Sequence, residues 1–416
     1  MDPTARVTID DLDARIERHL IGDPGAPRQR LIGIEYERLL LHRVTGESAA
    51  LDAAQRLLEG VGVATGGRPI VEDGILKGVH AEAFEVSIEP GGQVEISTPP
   101  CHSLTDADRS IAAADDALAT ALSGTDLELV ALGHAPRTPV LAHGLLPRNR
   151  YRIMDARMPP RGELTRNMMR ATAGFQVTLD FDGRAGASEL LASFYRLSPL
   201  LAALTANSRI VVGDDSGYAT FRHHVWLHTD RDRSALPDDC LDPARVIDGY
   251  VAWARRARTL FQWREGVIVE APEMPFQELV ARSVVTSADL ALHLSSLFPF
   301  VRPRGHAEVR CMDSVPWDRA RAIAAMLAAV AYHDGSRRVA DRIGAALIVT
   351  DPVELRAFHE QVARHGLRAV APDGRELAAI AREWVEGVDA ALATSAFPMV
   401  ERHDLLPLRD PEAMSA

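Results

Sequence analysis

Carboxylates recur at alternate positions on stretches that otherwise look like half-buried strands. Alternate side chains of a strand share a face. In "LIGIEYERLLL" (31–41), Glu35 and Glu37 therefore share one side, against Ile32, Ile34 and Tyr36. In "QVEIS" (93–97), Glu95 stands with Gln93 and Ser97 against Val94 and Ile96, and Glu89 directly precedes a Pro-Gly-Gly turn. In "GFQVTLDF" (174–181), Gln176, Thr178 and Asp180 oppose Phe175, Val177, Leu179 and Phe181. In "HAEVRC" (306–311), His306, Glu308 and Arg310 oppose Ala307 and Val309. Taken singly, each is the ordinary solvent face of an antiparallel sheet. Gathered in one sheet, the carboxylates would repel and rise in pKa unless cations neutralised them. Mg²⁺ takes such oxygen ligands and shares them with phosphates, and an arginine beside a glutamate suits a polyphosphate. The chemistry implied is a metal–nucleotide site on a sheet.

The elements that must position these residues are strands close in sequence, joined by Gly/Pro turns too tight for parallel crossovers. An antiparallel or mixed sheet follows. Helical patterns separate the strands at 48–59, 105–122, 188–206, 244–260, 287–297 and 316–333. At the start, Thr8 is placed to cap a helix lined by Leu12, Ile16 and Leu20. "DPVELRAFHEQVARHG" starts with Asp351 as cap and Pro352 at the first helical position, and stops at Gly366. The expectation is an α+β fold in a single catalytic unit over 1–416: an N-terminal helical segment to residue 30, an α+β core over 31–315, and a helical part over 316–416.

Bulk properties narrow the function. The 416 residues are 47% hydrophobic and 25% charged, which suits a globular core. A net charge of -12 argues against nucleic acid, and no apolar run is long enough to span a membrane. Three scattered cysteines supply neither a disulfide framework nor a cysteine zinc site. A cytoplasmic enzyme acting on small molecules, monomeric or weakly dimeric, is expected. Lys77 is the single lysine, so phosphate contacts must come from arginine or backbone N–H groups. No phosphate-binding Gly-x-x-x-x-Gly-Lys loop, dinucleotide fingerprint or nucleophile elbow is present. His223 and His224 in "RHHVW", taken as a strand, face opposite ways and are assigned structural roles rather than a zinc pair.

At these residues the chain resembles the glutamate–cysteine ligase family, carboxylate–amine ligases related in fold to glutamine synthetase. "IGIEYE" is similar to that family's Gly-x-Glu-x-Glu strand, "IEPGGQVEIS" to its Glu-Pro-Gly-Gly hairpin, and "NRYRIMDARMP" to its Arg-Tyr-x-Ile-Met segment. "FQVTLDF", "LTANS", "FRHHVW" and "HAEVRCMDSVPW" continue the order, so that the resemblance runs from about residue 30 to 333. "MMRATAGFQV" looks closest to the bacterial ergothioneine-pathway branch, with plant-type enzymes next. The resemblance implies a curved, mainly antiparallel sheet forming a funnel, with ATP and Mg²⁺ at its centre. It assigns Glu35, Glu37, Glu89, Glu95 and Glu308 to magnesium. It places Gln176, Arg310 and Asp313 at ATP, and Arg150, Tyr151, Arg222 and Trp226 at the amino-acid substrate. Two departures bear on the acceptor: Thr178 stands where the family has asparagine, and in "RARTLFQWR" Leu260 stands where a substrate-contacting tyrosine is common. The implied reaction is ATP-dependent γ-glutamyl ligation to L-cysteine. A different amine acceptor, or a non-catalytic nucleotide- or amino-acid-binding regulator on the same fold, are the alternatives.

Overall fold

The computed structural model describes residues 2–22, 29–395 and 397–410. Among them, nine strands form one sheet: β1 (Ile32–His42), β2 (Arg68–Glu72), β3 (Ile75–His80), β4 (Glu85–Ile88), β5 (Val94–Ser97), β6 (Leu127–Val130), β7 (Gly174–Leu179), β8 (Val301–Pro303) and β9 (Ala307–Asp313). The order is β8-β9-β7-β1-β5-β4-β3-β2, with β6 on the far half of β1, and every pairing is antiparallel.

Register decides what this sheet displays. Glu35 lies between Ser97 of β5 and Gln176 of β7, and Glu37 lies directly opposite Glu95. The other face is apolar: Ile34, Tyr36, Ile96, Phe175, Val177 and Val309 are buried. The largely buried Gly183–Leu204 helix and the alanine-rich Trp317–Tyr332 helix pack there. The hydroxyl of Tyr36 donates to the Val315 carbonyl at 2.8 Å, satisfying its one polar atom in the core.

The β4–β5 turn shows how local sequence serves the site. Gly92 has φ +91, a conformation that suits glycine. A Cβ on Gly91 would come within 2.2 Å of the Arg170 backbone, so only glycine allows this approach. The tight turn closes with the Glu89 N–H donating to the Gln93 carbonyl at 2.8 Å, which leaves the Glu89 side chain at the rim of the sheet face.

Several elements differ from the sequence expectation. "FRHHVWL" is a helix, Phe221–Leu227, not a strand: the Thr220 hydroxyl accepts from the His223 N–H and caps it. The first helix spans Leu12–Ile21 with Asp11 at its cap position. Thr8 is not the cap; its N–H instead donates to the Asp11 carboxylate. The 244–260 helix ends at Arg256, and a separate hairpin, Phe261–Arg264 with Val267–Glu270, follows. β2 and β3, which extend one edge of the sheet, carry no clear alternation. Beyond β9 the regular elements are helical, and Asp351 caps the Pro352–His365 helix by accepting from Val353 and Glu354 N–H groups. No helix among the described residues is long and apolar enough to cross a membrane.

Candidate active site

The polar face of the sheet is the floor of a cavity of about 390 Å³. Glu35 and Glu37 reach it from β1, Glu95 from β5, Gln176 from β7, and Glu89 from the β4–β5 turn. The same cavity is lined by Arg148, at the cap position of the Asn149–Arg157 helix, by Arg150 and Tyr151 on that helix, by Arg222 and Trp226 of the Phe221–Leu227 helix, and by Arg302, Arg304 and Arg310 of the β8–β9 hairpin at the end of the sheet. A floor of carboxylates therefore meets a wall of guanidinium groups in one cavity.

The floor is poorly neutralised. Burial, the Glu308 charge and the Glu89 charge push Glu35 up to about 7 even though Arg302 and Arg310 oppose them. Burial first, then the Glu89 charge, lifts Glu37 to about 7 against Arg222 and the Gly174 N–H. Glu95 rises well above the ordinary carboxyl range through burial and three neighbouring glutamates. Lys77 is the cation on this side. Burial would depress it, but Glu89, Tyr151 and Glu95 hold it above its ordinary value.

The wall is fixed by its own partners. Arg150 donates to the Ser295 hydroxyl and carbonyl, both at 2.8 Å, and lies 5.2 Å from the Phe261 ring centroid. Arg148 pairs with Glu72 and donates to the Tyr151 hydroxyl at 3.2 Å. Arg222 and Arg310 stack on Trp226 at 5.6 and 5.5 Å, which holds two flat cations in place by cation–π attraction. Several donors and acceptors remain without protein partners: Arg222 Nε and Nη1, Gln176 Oε1 and Trp226 Nε1. Buried polar atoms in this state are expected where a ligand supplies the missing bonds. The donor set also fits divalent cations: hard carboxylate oxygens lining one cavity, with charge left over.

Four assignments made from the sequence need revision. Glu308 does not face open space: both its oxygens accept from Arg302, at 2.8 to 3.2 Å, and Arg310 lies 3.3 Å away. Burial would raise Glu308, yet Arg302 and Arg310 outweigh it and hold it below the ordinary carboxyl range. Asp313 does not contact the cavity. Its carboxylate accepts from the Asn207 N–H (2.9 Å), the Ser208 hydroxyl (2.6 Å) and the Thr220 hydroxyl (2.8 Å). It thereby ties the "LTANS" segment and the start of the Arg222-bearing helix to the end of β9. Thr178 pairs across the strands with Gly33 and Glu308 and is not among the lining residues. Leu260 is buried and lies outside the cavity wall.

The sequence did not point to Arg302, Arg304, Arg148 or Lys77, nor to the apolar side made by Met154, Met168, Met169 and Phe298. A signal existed for Arg302. "VRPRGHAEVR" reads as two strands about a glycine turn, and Gly305, with φ +77, sets Arg302 opposite Glu308.

The model of the glutamate-cysteine ligase family 2 matches residues 31–410, so the match extends through the helical part. A chloroplastic glutamate–cysteine ligase of Arabidopsis thaliana is 27% identical over 353 residues, 82% of this chain. That of Medicago truncatula is 27% identical over 318 residues, 74% of this chain. The chain spans 66% and 63% of the length of these two relatives. Among solved structures, a glutamate–cysteine ligase from Francisella tularensis in complex with AMP is similar in fold, with a TM-score of 0.50 at 13% identity. The match covers 94% of this chain and 82% of that one.

Proposed function

Because the chain belongs to the glutamate-cysteine ligase family 2, we propose that its cavity joins the side-chain carboxylate of L-glutamate to the amine of L-cysteine at the expense of ATP. The observation that carries this is the carboxylate floor meeting an arginine wall in one cavity. Glu35, Glu37, Glu89 and Glu95 would hold magnesium, with Glu308 kept nearby by Arg302. Bound there, magnesium neutralises the charge on floor and phosphates together. Arg310, fixed between Glu308 and the Trp226 ring, offers its guanidinium fork to phosphate oxygens. Arg150, Arg222 and Tyr151 bind the donor amino acid.

The glutamate γ-carboxylate attacks the terminal phosphorus of ATP, and ADP leaves with the displaced bond's electron pair. The acceptor amine then attacks the acyl carbon, phosphate departs, and the ammonium proton passes to solvent. Catalysis here is positioning and charge neutralisation in a partly desolvated cavity. No nucleophilic side chain is needed. The shared core, which runs from Val7 to Leu408, supports taking the chain as one catalytic unit.

The acceptor side favours a second possibility. Met154, Met168, Met169 and Phe298 offer shape without hydrogen-bond donors, and methionine side chains adapt to their neighbours. A thiol and a methyl group differ little in such a wall. Phosphate release with ATP, Mg²⁺ and L-glutamate, across a panel of amines including L-cysteine and 2-aminobutyrate, is the test. Cysteine-dependent release identifies the proposed ligase; fast release with another amine and none with cysteine assigns a different acceptor. No release with any amine, while ATP still binds, leaves a non-catalytic binding protein.

A further inference from the structure

The helix that supplies Arg222 and Trp226 to the cavity has a second set of reactive side chains on its other side. Residues two apart on a helix project about 200° apart, so His224 and His228 point away from the cavity. They point at Glu360 on the Pro352–His365 helix. Glu360 accepts from His224 Nδ1 at 2.9 Å through one oxygen and from His228 Nε2 at 2.5 Å through the other. One ligand atom from each of the three residues lies within 4.8 Å of the others.

Spacing and surroundings both suit a metal. Two histidines at i and i+4 on one helix face, with a carboxylate from a second element, make a three-ligand set that binds zinc tetrahedrally with the fourth position open. The three side chains are 15 to 28% exposed, so solvent can reach that fourth position. The other ring nitrogen of His228 lies 3.6 Å from the Glu163 carboxylate, and ligating histidines commonly have an acceptor there. The Tyr218 ring stacks on His224 at 4.2 Å and fixes its plane. Two imidazoles and one carboxylate select borderline metals over Mg²⁺, which the all-oxygen floor of the cavity prefers. None of these residues is used in the ligation chemistry.

We propose that His224, His228 and Glu360 bind one divalent transition metal of the Zn²⁺ class, stapling the Phe221–Leu227 helix to the Pro352–His365 helix. Metal bound there is in register with the buried His223–His359 hydrogen bond (3.0 Å), which joins the same two helices. The arrangement ties the segment carrying Arg222 and Trp226 to the helical part of the chain.

The test uses the whole chain, stripped with chelator and held in excess Mg²⁺ so that the carboxylate floor is occupied. Co²⁺ alone, then Zn²⁺ alone, are the probes. One equivalent of Co²⁺ should give the intense visible d–d absorption of four-coordinate cobalt and be displaced by Zn²⁺. Zn²⁺ at about a hundredfold over its Kd should raise Tm by about 3–5 °C. His228→Gln and Glu360→Gln should lose both responses, while Glu35→Gln keeps them. Circular dichroism of each variant without metal confirms that it folds, and His224→Gln serves in place of one that does not. A wild type with no cobalt spectrum overturns the proposal. So does a response that persists in His228→Gln, or variants that lower Tm while the wild type shows no metal effect, which leaves Glu360 only clamping two histidines.

Discussion

Replacing Glu35 by glutamine tests the electrostatics of the floor most directly. Glu35 titrates at about 7 instead of the ordinary 4.5, chiefly through burial and then the Glu308 charge. That difference corresponds to about 3 kcal/mol against the ionised form. The sign follows from linkage. Between pH 4.5 and about 7 the unfolded chain has released a proton that the folded chain still holds. The carboxyl's contribution to stability is therefore full below 4.5 and is lost as pH rises to about 7. At pH 8, without divalent cations, Glu35→Gln should be more stable than wild type by about 2–3 kcal/mol. The figure is set below the full 3 because Glu37 and Glu95 share the same repulsion. At pH 5 the two should be nearly equal. The assay is urea unfolding at both pH values in EDTA, repeated with Mg²⁺, which should stabilise wild type more than the variant. Turnover should be lost in the variant throughout. A Glu35→Gln protein less stable than wild type at pH 8 in EDTA would refute the repulsive floor.

Three further outcomes follow from the same geometry. Arg302→Met leaves Glu308 buried without its bidentate partner and should cost about 3–5 kcal/mol in urea unfolding, far more than an ordinary surface change. Arg310→Lys keeps the charge but loses the planar fork, so kcat/KM for ATP should fall at least about tenfold with stability nearly unchanged in thermal melts. Asp313→Ala should lose about 3 kcal/mol, because three donors lose their acceptor, whereas Asp313→Asn should lose less and keep the KM for ATP of wild type. An Asp313→Asn enzyme with a strongly raised KM for ATP would return Asp313 to the nucleotide site.

Alternation along strands carried most of what was legible. Ile34, Tyr36, Val94, Ile96, Phe175 and Val177 are where a period of two puts them, so their polar neighbours were bound to share the other face. The failures have physical causes. In β9 the pairing passes from Val309–Val177 to Met312–Phe175, one residue too many on the β9 side. This bulge returns Met312 to the core face, a change of parity that no periodic pattern contains. "FRHHVW" is short and rich in aromatic rings, and its helical state rests on the Thr220 cap and on packing against the Pro352–His365 helix. The other half of the arginine wall was hidden for a different reason. Its members come from segments far apart in sequence, and only the closed fold makes Arg148, Arg302 and Arg304 neighbours.

The solitary lysine has a practical meaning for chemistry on this protein. Lys77 is the one ε-amine in the sequence, and it lies in the cavity wall beside the carboxylate floor. An amine-directed reagent thus has a single side-chain target, already at the place where substrates bind. The surrounding glutamates that keep this amine protonated also keep it sluggish towards acylation. Any cation that neutralises them frees its lone pair, and any bound nucleotide shields it. Its rate of acylation, read at Lys77 by peptide mapping apart from the more reactive α-amine, is a built-in reporter of the charge state of the floor with no engineered label.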